Sequence, residues 1–297
     1  MKFWAGMKTM ITINGNAKIN LTLDILGKRT DGYHEVSMIM QSINLFDTLT
    51  LQKLDEQKII LHGDVRGVAR MQDNLIYKAA QLFLDTYKIH SGVEINLTKR
   101  IPIAAGLAGG STDAAATLRG LDKLFETNLS VMALCEMGAK LGSDIPFCIM
   151  GGTMLATGRG EILSQVAAMP QTNLVLVKPK FDVSTAWVYK NYHEVEKTVV
   201  HPDNKQMRKA LLLKDIDKIC NCMGNVLEYV TIGKYPQIEE IKQKLYSYGA
   251  KAAMMSGSGP TVFAVAEDKK QAEEIAARIR NDFTADVFVT ETAAENF

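Results

Sequence analysis

The chain has 297 residues, 47% of them hydrophobic, with 34 basic against 33 acidic side chains and a pI near 7.6. That length exceeds most single compact domains and predicts two, each able to bury its own core, with room for a cleft between them. The near-zero net charge excludes a global electrostatic footprint for nucleic acid or an anionic membrane, so any recognition of phosphate must be local.

At the start, Met1-Lys2-Phe3-Trp4-Ala5-Gly6-Met7 is too short for a signal h-region, and no run approaches the roughly 20 apolar residues that span a bilayer. A soluble, cytoplasmic protein is expected. Next, Ile19, Leu21, Leu23 and Ile25 alternate with polar residues in a half-buried strand that begins at Lys18 and ends in the turn-rich Gly27-Lys28-Arg29-Thr30-Asp31-Gly32. Further strands are expected over 35–45 and 48–54, before Asp73-Asn74 caps a helix running to about residue 87.

Val93, Ile95 and Leu97 then mark a strand over 93–98, and the chain turns at Ile101-Pro102. The segment Pro102-Ile103-Ala104-Ala105-Gly106-Leu107-Ala108-Gly109-Gly110-Ser111-Thr112-Asp113 leads into a helix beginning near Ser111, whose face is Ala115, Leu118, Leu121, Leu124 and Phe125. Ser111 or Thr112 can cap it, with Asp113 in its first turn. Small residues followed by a helix N-terminus let backbone amides approach phosphate oxygens, so the expected ligand is a nucleotide. The segment fits neither G-x-x-x-x-G-K-[ST] nor the dinucleotide G-x-G-x-x-G spacing. An ordinary tight connection is the competing reading.

Ser130 opens another helix, ended by Gly142, and Gly142-Ser143-Asp144-Ile145-Pro146-Phe147 follows. A polar, proline-containing patch over 165–172 marks the boundary between domains of residues 1–168 and 169–297. Beyond it come a strand opening at 174–177, helices near 204–222 and 237–248, a strand over 252–255, and the turn Gly257-Ser258-Gly259-Pro260. A strand over 261–266, a helix over 269–281 and a strand over 286–290 complete a two-layer α+β domain. Cys135, Cys148, Cys220 and Cys222 lie in predicted helix or core without paired C-x-x-C units, which reads as reduced thiols rather than a zinc site.

Two readings stand for each candidate chemical group. Asp144 either caps the helix after it or is a carboxylate beside a terminal phosphate, ready to accept a proton from a substrate hydroxyl. Lys18 is either a solvated edge charge or an ammonium that pairs with Asp144 and balances developing anions. Tyr33 and His34 either pack on a neighbouring strand and at the surface or stack on and hydrogen-bond a nucleobase. The 256–261 turn either is a plain tight turn or braces the first glycine segment and touches phosphate.

Ala17-Lys18-Ile19-Asn20, the glycine segment 102–112, residues 142–147 and Ser256-Gly257-Ser258-Gly259-Pro260-Thr261 together closely resemble the GHMP small-molecule kinases, across nearly the whole chain. Lys18 to Leu21 followed by Gly27 to Glu35 resembles the branch of that family acting on CDP-methylerythritol in non-mevalonate isoprenoid precursor synthesis. The resemblance implies an α+β, two-domain architecture: a ribosomal-S5-domain-2-like N-terminal domain and a ferredoxin-like C-terminal domain. It also implies ATP with Mg2+, bound by Pro102, Ile103, Ala104, Ala105, Gly106, Leu107, Ala108, Gly109, Gly110, Ser111 and Thr112, with Ser111 a metal contact. Lys18 and Asp144 are then catalytic, while Asn20, Tyr33, His34, Asp144, Thr185 and Tyr189 face the substrate. Trp187 is an alternative to Tyr189 as the second ring.

Ala108 departs from the broader pattern, where glycine is common, and would be strained if its φ is positive. A small-molecule substrate and a monomer or weak homodimer are expected, with no nucleic-acid or membrane partner. The competing functions are a GHMP kinase for homoserine or mevalonate, which would need no base readers, and a catalytically silent ligand sensor, which would need neither Lys18 nor Asp144.

Overall fold

The computed structural model describes residues 9–64 and 70–296, so the reading of residues 1–7 lies outside the described residues. Alternating apolar side chains drive β1 (Met10–Lys28) and β2 (His34–Leu54) into one long antiparallel hairpin, paired from Met10–Gln52 to Lys28–His34. Both are longer than expected. Continuous pairing with β1 carries β2 through the interval where two separate strands were expected. Register shifts at Asn16/Lys18 and Asn20/Thr22 bracket Lys18 to Asn20, and such irregularities re-aim side chains.

The sheet grows by β3 (Ile59–Gly63) and, after α1 (Leu75–Thr86), by β4 (Gly92–Thr98); α2 (Gly109–Phe125) and α4 (Ile145–Met150) pack on it, and α3 (Val131–Ala139) packs on those helices. The α1 cap is Asn74, as expected, accepting from the Ile76 amide at 2.8 Å. Two short strands follow: β5 (Thr153–Thr157) pairs with β2, and β6 (Ile162–Gln165) pairs with β5.

After residues 166–172 a second sheet begins with β7 (Asn173–Pro179). Then come α5 (Thr185–Asn191), α6 (Asn204–Leu212), α7 (Ile216–Cys222), β8 (Gly224–Asn225), α8 (Glu228–Lys234) and α9 (Gln237–Ser247). Next are β9 (Ala252–Met255), β10 (Val262–Ala266), α10 (Lys269–Asp282) and β11 (Ala285–Glu291). The antiparallel order β11-β7-β10-β9 is a split βαβ arrangement, the ferredoxin-like pattern. β8 returns to pair with β1, and one apolar cluster contains both Leu49 and Val262, so the two halves share buried surface.

The helix after the glycine segment starts at Gly109, two residues earlier than expected, and neither Ser111 nor Thr112 caps it. Ala108 holds the cap position in a left-handed conformation, φ 59° and ψ 28°, with no side-chain hydrogen bond. Thr112 is fully buried and its hydroxyl donates to the Asn16 carbonyl at 2.8 Å. Asp113 lies beyond the first turn and pairs with Lys99 at 2.7 Å.

Candidate active site

A cleft of about 1060 Å³ opens where the β1–β2 hairpin, the glycine segment, the start of α4 and α5 meet. It is lined by Lys18, Asn20, Tyr33, His34, Asp144, Thr185 and Tyr189, together with most of the 102–111 segment. Two of the expected nucleotide-binding residues turn away. Leu107 is 1% exposed and belongs to the apolar core, and Thr112 is held by its bond to Asn16. An apolar side chain at 107 anchors the loop to the sheet while its carbonyl accepts from the Lys18 amide at 3.2 Å.

Lys18 and Asn20 stand two apart on β1 and so share a face, where the ammonium donates to Asn20 Oδ1 at 2.7 Å and to the Gly106 carbonyl at 2.9 Å. Burial pushes the Lys18 ammonium below the ordinary lysine range, opposed by the Asp144 carboxylate. The expected direct pairing of Lys18 with Asp144 does not form; no ion pair joins them among the described residues, and the attraction acts across the cleft. Asp144 occupies the N-cap position of α4 without a side-chain cap bond, because its φ of −80° and ψ of −15° are already helical. Pro146 in the first turn needs no amide partner, and the carboxylate stays available to the cleft.

Gly106 has φ 75°, and a Cβ there would lie 2.2 Å from the Ser256 carbonyl oxygen, so only glycine permits this approach. Ser256 Oγ in turn donates to the Gly106 carbonyl at 3.0 Å, and the Thr261 amide reaches Ala105 O at 3.4 Å. The second glycine turn thus braces the first. Its Gly257 and Ser258 also line the cleft, with Ser258 bonded to Thr185 at 2.8 Å.

The His34 and Tyr189 rings, which also line the cleft, lie 5.5 Å apart. Burial, and then the Lys28 ammonium, hold His34 below the ordinary imidazole range, which favours a neutral ring with one donor and one acceptor. Burial raises the Tyr189 phenol, with Asp144 adding to it. Tyr33 is 56% exposed, and the Arg159 guanidinium stands 5.1 Å from its ring centroid. Trp187 faces the other way, edge-on to Tyr235 at 6.5 Å with Lys234 4.1 Å from its ring.

Sequence reading missed Arg159 and Lys99. Arg159 lies in the β5–β6 turn, and no motif distinguishes it from a surface arginine. Lys99 is buried between Asp47 at 2.5 Å and Asp113 at 2.7 Å, both distant enough in sequence that only the fold brings them together. Burial pushes the Asp113 carboxyl up, Lys99 pulls it back and Asp47 raises it again, leaving it at about 8. One ammonium shared by two carboxylates balances one of them. The Cys148 thiol, buried behind Thr112, is pushed to about 12 and stays protonated.

The chain matches the GHMP kinases N terminal domain over residues 74–152 and the GHMP kinases C terminal domain over 207–285. It is 48% identical over 286 residues to a 4-diphosphocytidyl-2-C-methyl-D-erythritol kinase of Geobacillus kaustophilus, covering 96% of this chain and 98% of that protein. A crystal structure of 4-(cytidine 5'-diphospho)-2C-methyl-D-erythritol kinase superposes with a TM-score of 0.82 at 29% identity, covering 96% of this chain and all of that one. A homoserine kinase from Cytophaga hutchinsonii superposes at 0.75 with 18% identity over 99% and 98% of the two chains, a likeness of fold alone.

Proposed function

The chain belongs to the GHMP kinases, and from that premise we propose that it transfers the γ-phosphoryl group of ATP to the 2-hydroxyl of 4-diphosphocytidyl-2-C-methyl-D-erythritol, a step of non-mevalonate isoprenoid precursor synthesis. The observation that carries the reading is one cleft whose wall combines a glycine-rich helix N-terminus, a histidine–tyrosine ring pair, Lys18 and Asp144.

The first-turn amides of α2, which an α-helix leaves without internal partners, and the positive end of its dipole suit the triphosphate. Asp144 accepts the proton of the acceptor hydroxyl as it attacks in line, and Lys18 stabilises the charge gathering on the transferred group. Asn20 and the Gly106 carbonyl hold the Lys18 ammonium in place. His34 reads the polar edge of cytosine while Tyr189 and Tyr33 offer their faces. Thr185, fixed by Ser258, faces the acceptor.

Mg2+ bound with ATP would draw charge from the phosphates, and Ser111 at the start of α2 is the hydroxyl that would contact it. The described residues contain no group of three or more His, Cys, Asp or Glu able to hold a metal. No helix among the described residues is long and apolar enough to cross a membrane, and the four unbridged cysteines suit a cytoplasmic setting.

A coupled ADP-release assay with CDP-methylerythritol, homoserine and mevalonate tests the assignment. Selective turnover of the cytidylated acceptor is expected, with Asp144→Asn and Lys18→Ala each losing roughly 10²–10⁴-fold in kcat while their circular dichroism stays native. Preference for homoserine or mevalonate would overturn the acceptor. Tight binding without multiple turnover would favour a sensor.

A further inference from the structure

Residues 292–296 run back from β11 across β2 and end against α4, the short helix that presents Asp144. The Thr292 amide donates to the Thr172 carbonyl at 3.0 Å, the Ala293 amide to the Ser42 carbonyl at 2.8 Å, and Gln41 Nε2 to the Ala293 carbonyl at 2.8 Å. At the far end, the Asn296 amide donates to the Met150 carbonyl at 2.9 Å, and its Nδ2 donates to the carbonyls of Cys148 and Ile149 at 3.0 and 3.2 Å. A helix leaves its last carbonyls unpaired, and α4 has only six residues, so three of its carbonyls are satisfied from outside by one asparagine.

The backbone after α4 is shaped to receive this segment. Gly151 and Gly152 have φ of 74° and 70°; a Cβ at 151 would lie 2.9 Å from Asn296 Nδ2, and one at 152 would lie 2.6 Å from Glu295 Cγ. Side chains there would expel the segment. Arg119 on α2 donates to the Asn296 carbonyl at 3.4 Å, which ties α4 to the helix that carries the glycine segment.

We propose that Asn296 is a positioning residue for phosphoryl transfer: by capping the C-terminal end of α4 and bonding to α2 it fixes the Asp144 carboxylate relative to Lys18 and the phosphate-facing amides. The inference rests on the reading of Asp144 as the base. Catalysis is sensitive to such placement, since an error of about 1 Å in a reacting group costs on the order of 10²-fold.

The test compares Asn296→Ala, Asn296→Asp and Asn296→Gln with the unaltered chain, by steady-state kinetics with ATP and CDP-methylerythritol and by amide hydrogen exchange across α4. Asn296→Asp keeps the size but loses the donor, and Asn296→Gln keeps the donor. The first two should lower kcat roughly tenfold, hold KM for ATP within about twofold and speed exchange at residues 148–151, with Asn296→Gln recovering part of the loss. In an Asp144→Asn background, Asn296→Ala should lower kcat no further, because both act through one carboxylate. Unchanged exchange in α4, unchanged kcat despite a lower melting temperature, or a full additional loss in the double variant would overturn the proposal. Retained turnover in Asp144→Asn alone would count against the base assignment and not against the cap, which the exchange measurement decides by itself.

Discussion

At Lys18 the chain buries an ammonium at 5% exposure and gives it two oxygen partners, Asn20 Oδ1 and the Gly106 carbonyl. A buried charge without partners would be costly, so both the bulged β1 strand and the glycine loop are committed to this one side chain. The same logic separates the two candidate rings. Tyr189 shares the cleft with His34, so Tyr189→Ala should raise the acceptor KM roughly tenfold, on the scale of a lost base–aromatic stack, while KM for ATP stays put. Trp187→Ala, outside the cleft against Tyr235, should change neither. Equal effects from both variants would contradict this placement. Asp113 gives a stability signature of its own. Its folded value near 8 lies above the ordinary carboxyl value, so the native state binds a proton more tightly. Its contribution is present in full below pH about 4 and is lost as pH rises through about 8. Unfolding free energies of the unaltered chain minus those of Asp113→Asn should therefore fall across that window. A rising difference would contradict the assignment. In the sequence, Lys18, Asp144 and His34 are visible through the motifs around them, whereas Lys99 and the pairing of Asp113 with it are not. Their role depends on Asp47, which the fold brings from β2.

Helix α2 illustrates how far local pattern reaches among the elements. Its apolar stripe and its glycine approach are legible in the sequence, but its cap is not. Side-chain capping rules favour Ser111 or Thr112, and tertiary contacts override them: Thr112 is spent on Asn16, so the helix begins at Gly109 behind a left-handed Ala108. That conformation is unfavourable for a residue with a Cβ, by about 1 kcal/mol. Ala108→Gly should thus stabilise the fold by at most about 0.5 kcal/mol in chemical denaturation, after the greater freedom of glycine in the unfolded chain is counted. A destabilised variant would show that Ala108 is not strained. The strands fail in the sequence for a different reason. β5 and β6 have five and four residues, too short for periodicity to stand out, and β8 has two. The β1–β2 hairpin is underestimated because pairing across its full length outweighs the polar residues within it.

For the whole molecule, the order of β11-β7-β10-β9 and the long β1–β2 hairpin place two sheets so that their connections meet at one cleft. We propose the division at residues 1–168 and 169–297 as the functional one, with β8 and the 292–296 segment crossing it and tying the halves together. The account requires that the phosphate-facing amides, the catalytic pair and the base-facing rings serve one bound pair of substrates. A crystal structure with a non-hydrolysable ATP analogue, magnesium and CDP-methylerythritol measures this most directly. It should place the γ-phosphate against the amides of residues 109–111 and the acceptor 2-hydroxyl between that phosphate and the Asp144 carboxylate, within hydrogen-bond reach of it, with cytosine at His34 and Tyr189. An acceptor hydroxyl remote from Asp144, or a triphosphate seated away from the start of α2, would contradict it.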